Sequence, residues 1–362
     1  MFLRKLRLLN FRNYKELSIE FPVNGAFLSG ANGSGKTNLL EAIHMLCTAR
    51  SQRAASKMEM ITTDAECASL EGEFEEPGNA YFFSFDRAGN SLLKINDRKT
   101  GTFSEWFGSR PIVSFATGDT ELAYGPPEAR RRFLDILISL VDREYLAALI
   151  EYRKNLLRRN KLLRTSGDEL LCAIYEENMA ASGSIIVEKR VETVSALEKE
   201  GSRVYREIGG HNEEFSLTYE PGAKTDFSSK NAWKNVFFTM LSERRKCDRE
   251  MGFSSCGPHR DEVRLFIDSK TAKSYASQGQ CRSIALSLKL SAMSFLEAKG
   301  AKKIIILFDD AVSELDSERT ARFFSLIENR GQVFIASPTG ESGVRGLSAM
   351  DVAALTGSGI PQ

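Results

Sequence analysis

The chain has 362 residues, 42% hydrophobic and 27% charged, which is ordinary globular usage at a length suited to about two or three structural units. Its 49 Lys and Arg stand against 48 Asp and Glu, a net of +1, which excludes a uniformly basic nucleic-acid coat and an acidic solvating tail but not a local basic face. Six cysteines without C-x-x-C spacing, three histidines and no apolar run near ~18 residues exclude a disulfide framework, a zinc site and a membrane span, so a soluble cytoplasmic protein with reduced thiols is expected.

From the N-terminus, charges recur every two or three residues and leave no apolar h-region of a signal peptide. Leu6 and Leu8, then Leu17, Ile19 and Phe21, alternate with polar residues and predict a hairpin around Asn13. Ala26-Phe27-Leu28 is a short buried strand that runs into a glycine-rich turn, and a helix follows from about Lys36 to Cys47. Tyr81–Phe85, Leu92–Ile95 and Pro111–Phe115 read as further strands.

From about 128 to 250 the pattern turns helical. Leu149, Leu156 and Leu163 recur every seven residues, with Leu146, Ile150 and Leu157 beside them, and Val187, Val194, Gly201 and Ile208 do the same up to a stop at Gly209-Gly210. Strand character returns at Val263–Ile267, a helix spans about Gln280–Lys299, and Ile304–Phe308 and Val333–Ala336 are buried strands with a helix between them. The tail from Gly340 is rich in Gly, Ser and Ala and is expected to be partly mobile. The fold class predicted is α/β with an inserted helical lobe. Residues 1–118 and 255–362 are expected to form the α/β unit around one sheet system, and 119–254 the helical one.

Three motifs carry chemistry. Gly30-Ala31-Asn32-Gly33-Ser34-Gly35-Lys36-Thr37 fits G-x-x-x-x-G-K-[ST] between a strand and a helix, the context that makes a phosphate loop. Its backbone N–H groups would curl around phosphate oxygens, Lys36 would reach the β- and γ-phosphates of ATP, and the Thr37 hydroxyl would hold Mg²⁺. Asp309 ends a buried strand and fits the metal partner of Thr37, while Asp310 fits a group that orients or deprotonates the attacking water. Ser277-Gln278-Gly279-Gln280 opens a helix and offers a hydroxyl and N–H groups to an anion; taken alone, it also reads as a surface turn.

In this order, followed by Ser313-Glu314-Leu315-Asp316, the motifs resemble those of ABC-type ATPases. Asn10-Phe11-Arg12-Asn13-Tyr14, Arg130-Arg131-Arg132-Phe133-Leu134-Asp135 and Gly257-Pro258-His259-Arg260-Asp261 narrow the resemblance to the RecF family, relatives of the SMC heads, over nearly the whole chain. The resemblance implies an ABC-type head, lobe I, with a helical lobe II. It implies a homodimer closed head to tail on two ATP molecules, with Ser277 of one protomer on the γ-phosphate held by Lys36 of the other. It adds Arg12, Asn13 and Gln280 to the nucleotide-binding residues and makes Lys36, Ser277 and Asp310 the catalytic set. The implied activity is a slow, DNA-stimulated ATPase that binds single-stranded and gapped duplex DNA, acts with RecR and in a pathway with RecO, and helps load the recombinase during gap repair and replication restart. Asp310 stands where general ABC proteins carry Glu, as in RecF relatives, and Ser337-Pro338 stand where a switch His is usual.

Between Arg130 and Arg164 ten Lys/Arg face four acids, a local net of +6 that suits phosphate contact or a solvated helix face. Two other readings compete: the nucleotide-binding subunit of a transporter, which places only a short helical subdomain before its Ser-x-Gly-Gln turn, and a non-catalytic ATP-binding scaffold.

Overall fold

The computed structural model describes residues 2–54, 56–75, 79–100, 103–165, 168–209, 212–222, 230–310, 317–337 and 347–352. The elements begin with β1 (Phe2–Phe11), β2 (Tyr14–Glu20), β3 (Gly25–Ser29) and α1 (Lys36–Thr48). There follow β4 (Cys67–Glu75), β5 (Asn79–Asp86), β6 (Ser91–Ile95), β7 (Arg98–Lys99), α2 (Phe103–Trp106) and β8 (Ile112–Ala116). The helical stretch holds α3 (Glu121–Tyr124), α4 (Pro127–Ser139), α5 (Arg143–Thr165), α6 (Glu169–Ile208), β9 (Phe215–Glu220) and α7 (Lys230–Met251). The last part is β10 (Glu262–Ile267), β11 (Lys270–Thr271), α8 (Ala272–Tyr275), α9 (Gln278–Ala298), β12 (Ile304–Asp309), α10 (Ser317–Ser325), β13 (Gly331–Ala336) and β14 (Ser348–Asp351). Two compact units result: Met1–Asp119 with Glu207–Gly209 and Ala292–Gln362, and Thr120–Arg206 with Gly210–Ser291.

The first unit holds two sheets. The antiparallel one runs β2-β1-β4-β5-β6-β7, and the parallel one runs β14-β3-β13-β12-β8. In β1, Leu6 and Leu8 alternate with the exposed Arg7 and Leu9, and Leu3 and Phe11 are also buried where the register shifts between Leu3 and Lys5 and where Asn10 takes a φ of 51°. The unbroken run Ile304–Phe308 is buried throughout, as expected of a central parallel strand covered on both faces. α1 touches strands of both sheets and is buried along nearly its whole length, the polar Glu41, His44 and Thr48 as well as its apolar residues. The buried Gln332 side chain ties the sheets together: its Oε1 accepts from Leu3 N (2.7 Å), and its Nε2 donates to the carbonyls of Leu3 (2.9 Å) and Pro22 (2.9 Å).

The second unit contains α3–α5, most of α6 and α7, and a three-stranded antiparallel sheet in the order β11-β10-β9. Three expectations change here. The stretch expected to be helical contains β9, and β10 pairs along its whole length with β9, from Glu262↔Glu220 to Ile267↔Phe215. Val263–Ile267 therefore belongs to this separate sheet, and residues 255–291 group with the helices instead of with the first unit. In the first unit, Ser348–Asp351 of the C-terminal tail form β14, hydrogen-bonded along β3. On α5, Leu146, Leu149 and Leu163 are buried, but Ile150 and Leu157 point outward. Among the described residues, no helix is long and apolar enough to cross a membrane.

Candidate nucleotide-binding site

The loop from Gly30 to Gly35 joins β3 to α1. Gly30, Gly33 and Gly35 have φ of 143°, 81° and 108°, backbone that an L side chain rarely adopts. At Gly35 space also forbids a side chain, because a Cβ would lie 2.6 Å from Tyr14 Oη and 2.7 Å from Asn13 Nδ2. The Tyr14 hydroxyl donates to the Gly35 carbonyl (3.0 Å), and burial pushes its pKa up, so it stays a donor. Asn13 donates to the Ser34 carbonyl (3.4 Å) and accepts from Asn38 Nδ2 (2.8 Å). The hairpin turn thus braces the phosphate loop from outside.

Lys36 is buried, and its ammonium donates to the carbonyls of Gly30 (2.6 Å) and Ala31 (2.9 Å). The Thr37 hydroxyl donates to Asp309 Oδ1 (2.8 Å), so the loop and the end of β12 meet as the motifs predict. Burial raises the Asp309 pKa, the neighbouring Asp310 charge adds to the rise, and the Thr37 hydrogen bond opposes it. Asp310 takes a φ of 53°, and its N–H donates to the Ala336 carbonyl (3.1 Å), which turns the chain sharply at the strand end. Two observations fit the loop to a phosphate. Ser34 Oγ is buried without a hydrogen-bond partner among the described residues, and no side chain caps the N-terminus of α1. The hydroxyl and carboxylate of Thr37 and Asp309 are hard oxygen donors suited to Mg²⁺.

Arg12 forms a fork with Glu41 (2.9 and 3.0 Å), and its Nη1 donates to the Glu59 carbonyl (2.9 Å). Glu41 is buried on α1 and also accepts from Ser51 Oγ, so its charge is matched on two sides. Glu41 escaped the sequence reading; its signal was a carboxylate set between Leu39-Leu40 and Ala42-Ile43.

In the second unit, Ser277 and Gln280 form a capping box at the start of α9. Ser277 N donates to Gln280 Oε1 (2.7 Å), and Gln280 N donates to Ser277 Oγ (3.2 Å). Gln280 Nε2 also donates to Glu213 (2.8 Å), which accepts from the Tyr205 hydroxyl (2.6 Å). Ser277 itself is exposed. Ser313–Asp316 and Pro338 lie outside the described residues.

The other family-specific motifs build the interior of the second unit. The buried Arg190 donates to Asp135 Oδ1 (2.8 Å), Asp261 Oδ2 (3.1 Å), Pro258 O (2.7 Å) and the Tyr145 hydroxyl (3.1 Å). Tyr219 donates to Asp261 as well, and Gly222 N does so at 2.8 Å. His259 stands between the Tyr152 hydroxyl (2.7 Å) and the Ser254 carbonyl (3.0 Å), and burial lowers its pKa to about 4. The expected basic face is correspondingly thinned. Arg130 bonds Glu262, Arg131 pairs with Glu128, and Arg153 pairs with Asp135. Arg159 is fully buried between Glu176 Oε1 (2.9 Å), Asp248 Oδ2 (2.7 Å), Ser254 Oγ (2.7 Å) and the Leu241 carbonyl (3.0 Å). Arg132, Arg143, Arg158 and Lys161 are exposed.

A family model described as "RecF/RecN/SMC N terminal domain" matches residues 2–343. The DNA replication and repair protein RecF of Ligilactobacillus salivarius is 34% identical, over 93% of this chain and 91% of that protein. RecF of a Synechococcus species is also 34% identical, over 100% and 96%. A solved structure of the recombination mediator protein RecF with ATP, in the RecFOR pathway, superposes with a TM-score of 0.87 at 30% identity, over 94% of this chain and 93% of that one. An Smc head domain from Pyrococcus furiosus shares the fold at a TM-score of 0.53 and 18% identity. The phosphate loop, the Thr37–Asp309 pair and the full-length match agree, and the chain belongs to the RecF family of ABC-type, SMC-head-like P-loop proteins.

Proposed function

We propose that this chain is an ATP-gated DNA-binding protein of recombinational gap repair and replication restart. Lys36 holds the β- and γ-phosphates of ATP, with the N–H groups of Gly30–Thr37 around them. Thr37 and Asp309 hold Mg²⁺, which when bound neutralises phosphate charge. Asp310 orients or deprotonates the water that attacks the γ-phosphate, and a carboxylate one methylene shorter than Glu suits slow turnover. Two protomers close head to tail, with the exposed Ser277 of each on the nucleotide of the other, and Arg12, Asn13 and Gln280 around it. The closed dimer binds single-stranded and gapped duplex DNA, works with RecR and, in the pathway, RecO, and helps load the recombinase. Lobe I is the α/β unit, and lobe II is the helical one.

The meeting of Thr37 with Asp309 beside Lys36, in a chain of the RecF family, carries this reading. Its test is ATPase activity and sedimentation with ATP, with and without gapped DNA. Wild type is expected to dimerise on ATP and to hydrolyse it faster with DNA. Lys36→Ala is expected to lose dimerisation, and Asp310→Asn to keep ATP binding while losing hydrolysis. An undiminished Lys36→Ala dimer, or hydrolysis indifferent to DNA, overturns the reading.

A further inference from the structure

The outward face of α5 carries a pattern that the packing of its own unit leaves largely unused; at its end Arg164 Nε donates to the Gly252 carbonyl (2.8 Å). Ala147, Ile150, Lys154, Leu157, Lys161 and Arg164 follow one another at spacings of three and four residues. At about 100° per residue they fall within a sector about 100° wide. All six are exposed; Leu157 shows 72% of its surface and Ile150 46%. Leu149 and Leu163 lie on another side of the helix and the buried Leu146 at the edge of this sector, so from Ala147 onward this is a second heptad seam, facing solvent. Single exposed leucines are common, but two large aliphatic residues one heptad apart, with Lys154 between them and Lys161 beyond, form a ready surface for another helix.

We infer that this face docks an acidic amphipathic helix of a partner protein. Ile150 and Leu157 supply the apolar anchors, and Lys154, Lys161 and Arg164 surround them with positive charge. The sector holds no carboxylate. Glu151 lies just outside it, 3.6 Å from the Lys154 ammonium in an exposed pair that contributes little. A second copy of the same face is disfavoured, because it would set lysine against lysine across the seam. Duplex DNA would engage the cations but gain nothing from an exposed isoleucine and leucine. Glutamates beside an apolar stripe satisfy both halves of the pattern.

Two synthetic helical peptides of about three heptads test the proposal against the full chain by fluorescence anisotropy. One has leucine at its seam positions and glutamate beside them, and the other replaces every glutamate with lysine. The glutamate peptide is expected to bind at least about tenfold more tightly than its lysine counterpart. Leu157→Ser and the double change Lys154→Glu with Lys161→Glu are each expected to weaken it at least about tenfold, with unchanged thermal unfolding because the side chains are exposed. Equal binding of the two peptides, or no binding of either, overturns the proposal. A loss of gapped-duplex affinity in Leu157→Ser as large as the loss of peptide affinity assigns the face to nucleic acid instead. An ATP-independent dimer that Leu157→Ser dissolves assigns it to a second copy.

Discussion

In the first unit, Lys36 is held by two backbone carbonyls, and Thr37 meets one carboxylate whose pKa is raised by burial. In the second, Arg159 and Arg190 are each fixed by two carboxylates together with backbone and hydroxyl oxygens. The residue types are similar, but the consequences are opposite. Carbonyl contacts on a lysine are readily exchanged for phosphate oxygens, so the first site keeps its charge for a ligand. The second unit uses its charges to fix helices and strands to one another, and removing one charge strands its partners in a low dielectric.

The largest expected effect breaks this comparison if it fails. Arg159→Met leaves Glu176 and Asp248 buried without their cation and is expected to cost about 3–5 kcal/mol in urea unfolding. Lys36→Ala loses two hydrogen bonds to backbone carbonyls but strands no charge, and is expected to cost only about 1 kcal/mol of apo stability while removing ATP binding. Equal costs for the two variants would erase the distinction between a structural and a ligand-directed charge.

His259 sharpens it through pH. Below its ordinary value of 6.5 an unfolded chain takes up a proton, whereas the folded imidazole stays neutral down to about 4. Stability from this site is therefore complete above 6.5 and is lost as pH falls towards 4, a total of about 3 kcal/mol. His259→Gln is expected to flatten that part of the pH profile of the unfolding midpoint. Asp309 has the opposite sign. Its raised pKa means that a contribution present below the ordinary carboxylate value is lost as pH rises through the folded value. At neutral pH, Asp309→Asn is expected to stabilise the apo protein by about 1 kcal/mol and to abolish the further thermal shift given by Mg²⁺ with ATP. The smallest effect concerns Ser277: replacing it with alanine removes the capping hydroxyl and is expected to cost about 1 kcal/mol or less, read from the unfolding midpoint without nucleotide.

The phosphate loop could be read directly because its chemistry is local: three glycines, a lysine and a threonine within eight residues leave few alternative conformations. Asp309 was equally plain, since an apolar run that ends in a carboxylate announces a strand with a polar tip. The second unit was less legible because its decisive partners are distant in sequence. Arg159 looks like one more cation on a solvated face until Glu176 and Asp248 close around it. β10 looked like part of the first sheet because its partner β9 is short and lies within a helical stretch. Ile150 and Leu157 seemed to widen the buried stripe, since heptad spacing alone does not say how broad the buried sector is. The tail is compositionally loose, yet four of its residues find an open edge on β3.

That edge bears on how the protein is made. β3, which leads into the phosphate loop, has β13 on one side and β14 on the other, so both neighbours come from the far end of the chain. Leu3 likewise waits for Gln332, 329 residues later. During synthesis the strand is therefore flanked by nothing for about 15–60 s, at ordinary elongation rates of roughly 5–20 residues per second, while the complete helical unit emerges first. Nascent chains stalled before Gly331 are expected to be cut readily by protease around residues 25–35 and resistantly within α5–α7. Equal resistance in both places would show that the strand finds interim cover. Otherwise the order of translation delivers the site that takes ATP last, after the part that surrounds Arg159 and Arg190 has set.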